Sequence, residues 1–507
     1  MKHLSLVLFA LLAFAAPSSA QQPDAVYHLL RQHWTVNADG SSDYNCRKEL
    51  QLFRNRAITA YADKGETFIV YNPAFESLAI NESYTIRKDG TKVPTPANAF
   101  VEQLPSSCTS CGRYSGLKEM VVVHTALEYD ATIVLDYTIH RRSSVLEQSV
   151  VLSRDCPVRK YEIIVDLPGD MPFTATLNGL ASKQGRCKSD GHRLHYVAKN
   201  IPQNYRDSYL PLDPSALYPV LSFSTQAQLP VRFPEIEPLP EAQDLLYNLD
   251  NADTLEFLQS VADWVADNVG YNPVSLSLAN YRAASAHEVW YSNCGSAAEK
   301  ALLLAAILRQ AGFPSAAPVA GAIECGTLDR FEVSAPELSK VLVPMGELVY
   351  ELSPLHRRPI RLQGVAVDEQ RELFVRDTLQ WHTDVASAAY RTMRLPFKSA
   401  WNPALIAPSR KAPVALSPSL EGFEYVIALP DSSHLVGGPV SISRAITNVG
   451  RLSVNIVEQN GVVHASGELQ ITPSASTLKP TGRRYKQFRA MLAEWETSRT
   501  LLIKQTR

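Results

Sequence analysis

Residues 295–314 read GSAAEKALLLAAILRQAGFP, and this stretch decides the central part of the fold. Leucine, isoleucine and alanine fill every position from 301 to 308, so a helix here would be apolar on all sides. Such a helix is typical of a domain interior. Gly312 and Pro314 end the pattern, because glycine favours a helix C-terminus and proline cannot continue a helix. The sequence predicts a buried helix from about Ser296 to Ala311.

The segments on either side of this helix give the order of the central elements. Apolar residues recur at the spacing of one buried helix face at Leu255, Leu258, Val261, Ala262 and Val265. Asp253 can cap this earlier helix, and Gly270 can end it in a left-handed turn. Two strands should follow the buried helix at 340–343 and 348–352, with a turn at Met345-Gly346.

The rest of the chain is predicted to be mainly strands. Runs rich in β-branched and aromatic residues lie at 68–71, 120–123, 132–137 and 161–165. Several short strands separated by turn signals indicate an N-terminal β-sandwich. Alternating segments such as 425–429 and a helix near 485–496 predict a C-terminal β-domain with a closing helix. The predicted class is therefore an α+β multidomain protein.

Proline density and changes of pattern set the expected domain limits. The stretch from Leu229 to Pro240 is rich in proline, which favours extended backbone between domains. The predicted divisions are a signal peptide at 1–20, a β-sandwich at 22–228, a linker at 229–245, a core at 246–400, a second linker at 401–418 and a C-terminal domain at 419–507.

The first twenty residues have the pattern of a signal peptide. Lys2 precedes an apolar run from Leu4 to Ala16, and small residues follow at Ser18-Ser19-Ala20. The run is shorter than the ~20 residues that a membrane-spanning helix needs. We expect an exported protein, periplasmic or extracellular, whose mature chain begins near Gln21 and has no transmembrane segment.

The charge balance excludes one class of partner. The chain has 49 basic and 51 acidic residues, for a formal net charge of −2. Nucleic-acid-binding proteins usually carry a clear basic excess, so no nucleic-acid partner is expected. The apolar fraction of 45% is enough for packed cores.

Seven cysteines are present: Cys46, Cys108, Cys111, Cys156, Cys187, Cys294 and Cys325. In an oxidising compartment they would tend to form disulfides, although sequence does not fix the connectivity. Proximity in the chain favours the pairs 108–111, 156–187 and 294–325, with Cys46 left over. The Cys-x-x-Cys motif at 108–111 lies in a polar loop and not between a strand and a helix, which favours a structural disulfide over a redox pair. Zinc would need a second close pair of ligands, and no metal or cofactor is expected.

The order of the central elements resembles the bacterial transglutaminase-like superfamily, whose core is shared with papain-like cysteine proteases. The segment Leu127-Glu128-Tyr129-Asp130-Ala131-Thr132-Ile133 and the terminal β-domain are similar to exported proteins that carry the DUF3857 domain. The resemblance implies a mechanism in which a cysteine at the start of the apolar helix becomes a thiolate and attacks an amide carbonyl. A histidine from the first strand moves the proton, and an aspartate from the second strand orients the histidine.

Matched to this pattern, the three catalytic positions carry other residues. The nucleophile position falls on Ala297, the histidine position on Lys340 and the aspartate position on Ser353. Alanine has no nucleophile, and an ordinary lysine is protonated at neutral pH. The resemblance therefore implies a degenerate, non-catalytic core.

One alternative keeps catalysis. Cys294 lies three residues before Ala297 and could serve as a relocated nucleophile, with His356 as base and Glu351 orienting the histidine. Three residues displace a side chain by several ångströms, whereas catalytic geometry is sensitive at the ~1 Å level. A structural thiol or a 294–325 disulfide is the competing interpretation.

Three hypotheses for function follow from these residues. The first is an exported, non-catalytic binding or scaffold module for an extended peptide, a protein or a glycan strand. The second is an active cysteine amidase, protease or acyltransferase that uses Cys294. The third is an assembly protein in which the core only links two β-domains.

Overall fold

The computed structural model of the chain describes residues 23–505, with gaps. The undescribed positions within this range are 65–66, 170, 179–184, 206, 211–216, 227–232, 250–252, 321–337, 356–359, 363–364, 367–373, 382–384, 387–389, 398, 400, 417–418 and 473–476.

The N-terminal region is built from fourteen strands and helix α1 (Asn55–Lys64) among its described residues. The strands are β1 Ala25–Val36, β2 Ser42–Leu52, β3 Thr67–Tyr71, β4 Glu76–Ile86, β5 Lys92–Pro94, β6 Phe100–Gln103, β7 Lys118–Val122, β8 Thr132–Arg141, β9 Glu147–Val151, β10 Val158–Asp166, β11 Thr174–Asn178, β12 Gly185–Ser189, β13 Arg193–Ile201 and β14 Val220–Ser224. All four strands predicted for this region overlap observed ones.

These strands form one large sheet and two small ones. The large sheet has the order β12-β13-β10-β1-β2-β8-β4-β5, and the small sheets have the orders β11-β14-β9 and β3-β7-β6. Strands β1 and β10 run parallel, from Tyr27 opposite Val158 to Thr35 opposite Asp166. One apolar core joins residues of the large sheet to residues of both small sheets, such as Phe223 and Val122. This layered arrangement agrees with the predicted sandwich.

The central region contains four helices and seven strands in its described part. They are α2 Gln243–Leu249, α3 Thr254–Asn268, β15 Gly270–Tyr271, α4 Ala286–Ser292, β16 Cys294–Gly295, α5 Ala297–Gln310, β17 Ala317–Ala320, β18 Leu338–Met345, β19 Leu348–Leu352, β20 Arg361–Leu362 and β21 Val365–Ala366. Strands β17 to β21 follow one another in a single sheet, and β15 pairs with β16 in parallel. Helix α5 packs between α3 and this sheet, with Leu303, Leu304 and Ile307 fully buried.

The predicted buried helix is confirmed as α5. Ser296 caps it through a capping box with Glu299, and Gly312 follows its end at φ +94°. The left-handed turn expected at Gly270 was wrong. Helix α3 ends at Asn268, and Val269 is extended so that Gly270 can enter β15.

The C-terminal region contains eleven strands and one helix in its described part. They are β22 Phe374–Gln380, β23 Val385–Ala386, β24 Tyr390–Arg394, β25 Val414–Ala415, β26 Ser419–Ala428, β27 Ser433–Leu435, β28 Val440–Ile446, β29 Gly450–Gln459, β30 Val462–Ile471, β31 Thr477–Leu478, α6 Arg483–Ser498 and β32 Thr500–Gln505. The sheets have the orders β22-β26-β30-β29-β28, β23-β24-β32-β27 and β25-β31. Helix α6 contributes Phe488 and Trp495 to their core.

Two segments near residue 400 belong to this C-terminal core. Strands β22 and β24 pair with β26 and β32, although the sequence placed residues 374–400 with the central region. Trp401, Ile406 and Val414 are buried in the same core, so the described part of the second expected linker is packed. No helix in the described part of the chain is long and apolar enough to cross a membrane.

Candidate functional site

The candidate site lies at the start of α5, and the four residues before the helix shape it. Asn293 ends α4 in the left-handed conformation at φ 52°, which asparagine tolerates, and turns the chain into β16. Gly295 is needed for close approach, since a Cβ there would lie 3.1 Å from the Cβ of Glu299. The sequence Asn293-Cys294-Gly295-Ser296 thereby places Cys294 directly before the helix, where its side chain is buried.

Ala297 is the first residue of α5, and it is buried, with 1% of its surface exposed. The side chain is a methyl group and offers neither a nucleophile nor a proton. Ser296 beside it is committed to capping, because its hydroxyl accepts the backbone N–H of Glu299. The chemistry that the resemblance implies at this position therefore has no group to perform it.

The other two substituted positions lie on β18 and just after β19. Lys340 Nζ donates to Glu351 Oε1 at 2.7 Å, so the structure brings these two residues together. In the pairing of β18 with β19, Leu342 lies opposite Glu351. Val341 and Val343 pack in the core with α5. Because side chains alternate along a strand, Lys340 lies on the opposite face of the sheet. Ser353 accepts a hydrogen bond from the N–H of Leu355 at 3.4 Å. His356 lies outside the described residues.

Cys294 forms a disulfide with Cys111, which lies 183 residues earlier in the N-terminal region. This bond corrects two expected pairs. Cys108 remains a thiol, so 108–111 is not formed, and Cys294 is not available for the expected partner Cys325, which lies outside the described residues. Cys156 and Cys187 also remain thiols, so the third expected pair was wrong. Proximity in sequence misled because the fold brings Cys111 and Cys294, which are 183 residues apart, to a Cα separation of 5.8 Å.

The segment 105–117, called the covering segment below, lies over the start of α5. It contains two short 3₁₀ turns, at Ser106–Cys108 and Gly112–Tyr114. Asn272, which is fully buried, donates from Nδ2 to the carbonyl oxygen of Ser107 at 2.6 Å. A small apolar cluster packs the covering segment on the central region through Cys108, Cys111, Tyr114, Leu117, Val274 and Cys294.

Glu299 is the polar centre of this contact. Its carboxylate accepts from Arg113 Nη2 at 2.9 Å, from the Tyr114 hydroxyl, and from the backbone N–H groups of Ser296 at 2.8 Å and Ala284 at 3.0 Å. Burial acts to raise the pKa of Glu299, but the charge of Arg113 and these hydrogen bonds outweigh it and lower the pKa. A buried carboxylate is therefore held ionised by donors from both regions.

Lys300, the next residue, is also buried but has a different role. Its Nζ donates to the carbonyl oxygens of Val269 at 2.5 Å and Ala266 at 3.3 Å, at the end of α3. A cation at a helix C-terminus satisfies carbonyls that have no partner within the helix. Burial lowers the pKa of Lys300 to about 8, and the charge of Asp267 opposes the shift. Lys300 thus caps α3 inside the core.

A cavity of about 320 Å³ lies beside the covering segment and is lined by both regions. Its charged lining residues are Arg113, Arg282, Glu288 and Glu299. Asn72 spans the boundary, because its Nδ2 donates to the carbonyl oxygen of Leu278 at 2.8 Å. Arg282 and Glu288 are exposed at the cavity, and Glu288 Oε2 also accepts the backbone N–H of Ser285 at 2.8 Å in the capping box of α4.

Sequence reasoning missed Arg113, Tyr114 and the part played by Glu299. One signal was present, since adjacent glutamate and lysine residues at the start of an otherwise apolar helix require buried partners. The identity of those partners was not readable, because Arg113 lies 186 residues from Glu299. Within the described ranges, no group of three or more His, Cys, Asp or Glu side chains could hold a metal ion.

Comparison with known families agrees with this architecture. Residues 38–203 match the model of DUF3857, a domain of unknown function with a solved structure. Residues 243–322 match the core of the transglutaminase-like superfamily. The chain therefore carries a region that matches DUF3857, followed by a region that matches the transglutaminase-like core, and the resemblance seen in the sequence is confirmed.

One solved structure shares nearly the whole architecture. It is the crystal structure of a protein from Parabacteroides distasonis described as a "putative protease", with 25% sequence identity and a TM-score of 0.74. The alignment covers 95% of this chain and 99% of that one.

Other similarities are much weaker. An M1 zinc metallopeptidase from Deinococcus radiodurans has 10% identity, and the alignment covers 50% of this chain and 57% of that one. Its TM-score of 0.18 is too low to support an argument. No curated protein matches the chain.

Proposed function

We propose that this chain is an exported, non-catalytic member of the transglutaminase-like superfamily that serves as a binding or scaffold module. The observation that carries the proposal is the start of α5. The buried Ala297 stands where the resemblance places the nucleophile, and the sulfur of Cys294 is bonded to Cys111. Acyl transfer by this superfamily requires a thiolate at that point.

The surroundings of the helix start support the same reading. The covering segment packs on the start of α5, with Arg113 hydrogen-bonded to both Glu299 and the carbonyl oxygen of Cys294. Lys340 is paired with Glu351 and is not poised as a base. A protein substrate would therefore meet the disulfide of Cys294 in place of a free thiolate at the start of α5.

A ligand would instead bind in the cavity beside the covering segment. The cavity offers the guanidinium of Arg282 and the carboxylate of Glu288 at its open side. A peptide carries both signs of charge and backbone hydrogen-bonding groups, whereas a neutral glycan strand would leave these charges unpaired. We therefore favour an extended peptide segment of a protein as the ligand.

The rival function is a cysteine amidase, protease or acyltransferase that uses Cys294. The description of the Parabacteroides distasonis protein as a protease is the observation in its favour. In this chain the rival enzyme would require reduction of the disulfide, because only a thiolate is nucleophilic.

The catalytic question is tested with the full chain, in oxidised and reduced forms. Hydrolysis of a casein substrate and amine incorporation into a glutamine peptide are measured for the wild type, for Cys294→Ala and for the triple variant Ala297→Cys/Lys340→His/Ser353→Asp. We expect no turnover by the wild type in either form. Activity of the reduced wild type that is lost in Cys294→Ala would establish the rival function.

The binding site is tested separately with a mixed-charge tetrapeptide library, read by thermal shift and then by calorimetry. Arg282→Ala and Glu288→Ala should each weaken the best peptide by roughly tenfold, since each removes a charged contact. Glu347→Ala changes an exposed glutamate in the turn between β18 and β19 and serves as the matched control. Equal binding by all four proteins would exclude the cavity as the peptide site.

A further inference from the structure

Three cysteines meet in the apolar cluster under the covering segment, although one disulfide uses only two of them. Cys108, Cys111 and Cys294 are each no more than 2% exposed and belong to the same cluster. Cys111 and Cys294 are bonded, while Cys108 is a thiol. A buried thiol next to a disulfide is the arrangement in which thiol–disulfide exchange takes place.

The backbone places Cys111 within bonding range of both neighbours. Its Cα lies 5.8 Å from the Cα of Cys294. The N–H of Cys111 also donates to the carbonyl oxygen of Cys108 at 3.1 Å, which closes a four-residue turn. The ends of such a turn lie within about 7 Å, and disulfides form across Cα separations of about 4.4–6.8 Å. Either disulfide is thus compatible with nearly the same path of the covering segment.

We propose that Cys108 is a resolving thiol that exchanges the bond between the two regions for a bond within the covering segment. The Cys108 thiolate attacks Sγ of Cys111, the bond between Cys111 and Cys294 breaks, and Cys294 leaves as a thiolate. The proton that Cys108 releases is taken up by Cys294. One disulfide and one thiol are present before and after the step, so neither an oxidant nor a reductant is consumed.

The resting state favours the bond between the regions. Burial raises the pKa of Cys108, which keeps it as a thiol while the cluster is closed. Attack therefore follows a brief opening of the covering segment that hydrates Cys108.

The exchange changes what the start of α5 presents. After it, the covering segment is held only by noncovalent contacts such as Arg113 with Glu299 and Asn272 with Ser107. Cys294 becomes a thiol that can exchange with a disulfide of the glutathione class, which forms a mixed disulfide on Cys294 and releases the other half of that disulfide as a thiol. The inference concerns sulfur exchange, so its test does not depend on whether the core binds peptides.

The exchange is measured on the full chain purified without reductant. The protein is held at about pH 8.5, where thiolates form readily, and is then quenched in acid at intervals. Free thiols are blocked with N-ethylmaleimide, and unreduced peptides are mapped by mass spectrometry. In a second assay, N-ethylmaleimide is present throughout, and the labelling rate of Cys294 is followed in the wild type, Cys108→Ser, Cys108→Ala and the control Cys187→Ser, which changes an exposed thiol.

We expect the Cys108–Cys111 peptide to appear together with labelled Cys294 in the wild type. Labelling of Cys294 should be slowed at least about tenfold in both Cys108 variants, because an intramolecular thiol acts at an effective concentration in the millimolar range. Cys187→Ser should behave like the wild type. The proposal is overturned if the Cys108–Cys111 peptide never forms in the wild type. This measurement needs only the wild type, so it remains decisive even if the variants misfold. Equal labelling of Cys294 in folded wild type and Cys108→Ser would also overturn it.

Discussion

Glu299 and Lys300 are neighbours in the first turn of α5, and both are buried, yet they face different regions and are satisfied differently. Glu299 points to the covering segment and receives donors from Arg113 and Tyr114 in addition to local backbone. Lys300 points to α3 and donates only to backbone carbonyls of the central region. The pKa of Glu299 is lowered towards the ionised form, whereas burial lowers the pKa of Lys300 towards the neutral form.

The two residues therefore have different structural roles within one helix turn. A buried charge that is hydrogen-bonded to an opposite charge stays ionised, whereas a buried charge that is hydrogen-bonded only to backbone carbonyls is less well compensated, even with Asp267 nearby. Substitution of Glu299 should therefore affect the contact between the N-terminal and central regions, and substitution of Lys300 should affect the interior of the central region.

The largest effect is expected at Glu299. Replacement by alanine removes the common acceptor of Arg113 and Tyr114 and leaves the guanidinium partly buried without its carboxylate. Removing one partner of a buried ion pair costs about 3 kcal/mol or more of unfolding free energy. The measurement is the urea unfolding curve of the oxidised full chain.

A control and the pH response sharpen this prediction. Glu347→Ala, at an exposed position, should change the unfolding free energy by less than about 0.5 kcal/mol. Since the pKa of Glu299 is lowered by folding, its stabilisation should be present at neutral pH and be lost as the pH falls through the folded-state pKa. If Glu299→Ala cost no more than Glu347→Ala, Glu299 would not be the polar centre of the contact.

A smaller effect of the same pH sign, but in an alkaline window, is expected at Lys300. The pKa is about 8 in the folded chain and about 10.4 in an unfolded chain, so the unfolded state binds more protons between these values. Stability contributed by this residue should rise with pH from about 8 to about 10. Lys300→Met should remove about 2 kcal/mol of that rise, as measured by urea unfolding at several pH values.

Lys411 provides the matched lysine for this test, because it is exposed. Lys411→Met should leave the pH dependence of the unfolding free energy as it is in the wild type. A pH profile of Lys300→Met that is parallel to the wild type would show that Lys300 does not titrate as a buried group.

The smallest effect is expected at Lys340. Its ion pair with Glu351 has side chains that are 32% and 21% exposed. Partly exposed pairs contribute about 0.5 kcal/mol, so Lys340→Ala, Glu351→Ala and the double variant should give a small coupling energy in a mutant cycle. A coupling energy above about 2 kcal/mol would contradict this prediction and would show that the pair contributes as strongly as a buried ion pair.

Much of the local structure could be predicted because its causes lie within a few residues. The start of α5 follows from the capping of Ser296, its end from Gly312, and its burial from the unbroken apolar run. The strand pair β18–β19 follows from two β-rich segments and one turn. The limits near residue 400 were less predictable, because a proline-rich stretch that looks like a linker contributes Trp401 and Val414 to a core.

By itself, the sequence determined the α+β class, the family resemblance and the position of α5, since these depend on residue type and near-neighbour pattern, and it predicts that Ala297 stands at the nucleophile position. Only the tertiary structure decided that Cys111 bonds to Cys294 and that Arg113 holds Glu299. Both pairs join residues more than 180 positions apart. Their formation depends on how two regions of the chain meet, and no local propensity encodes that geometry.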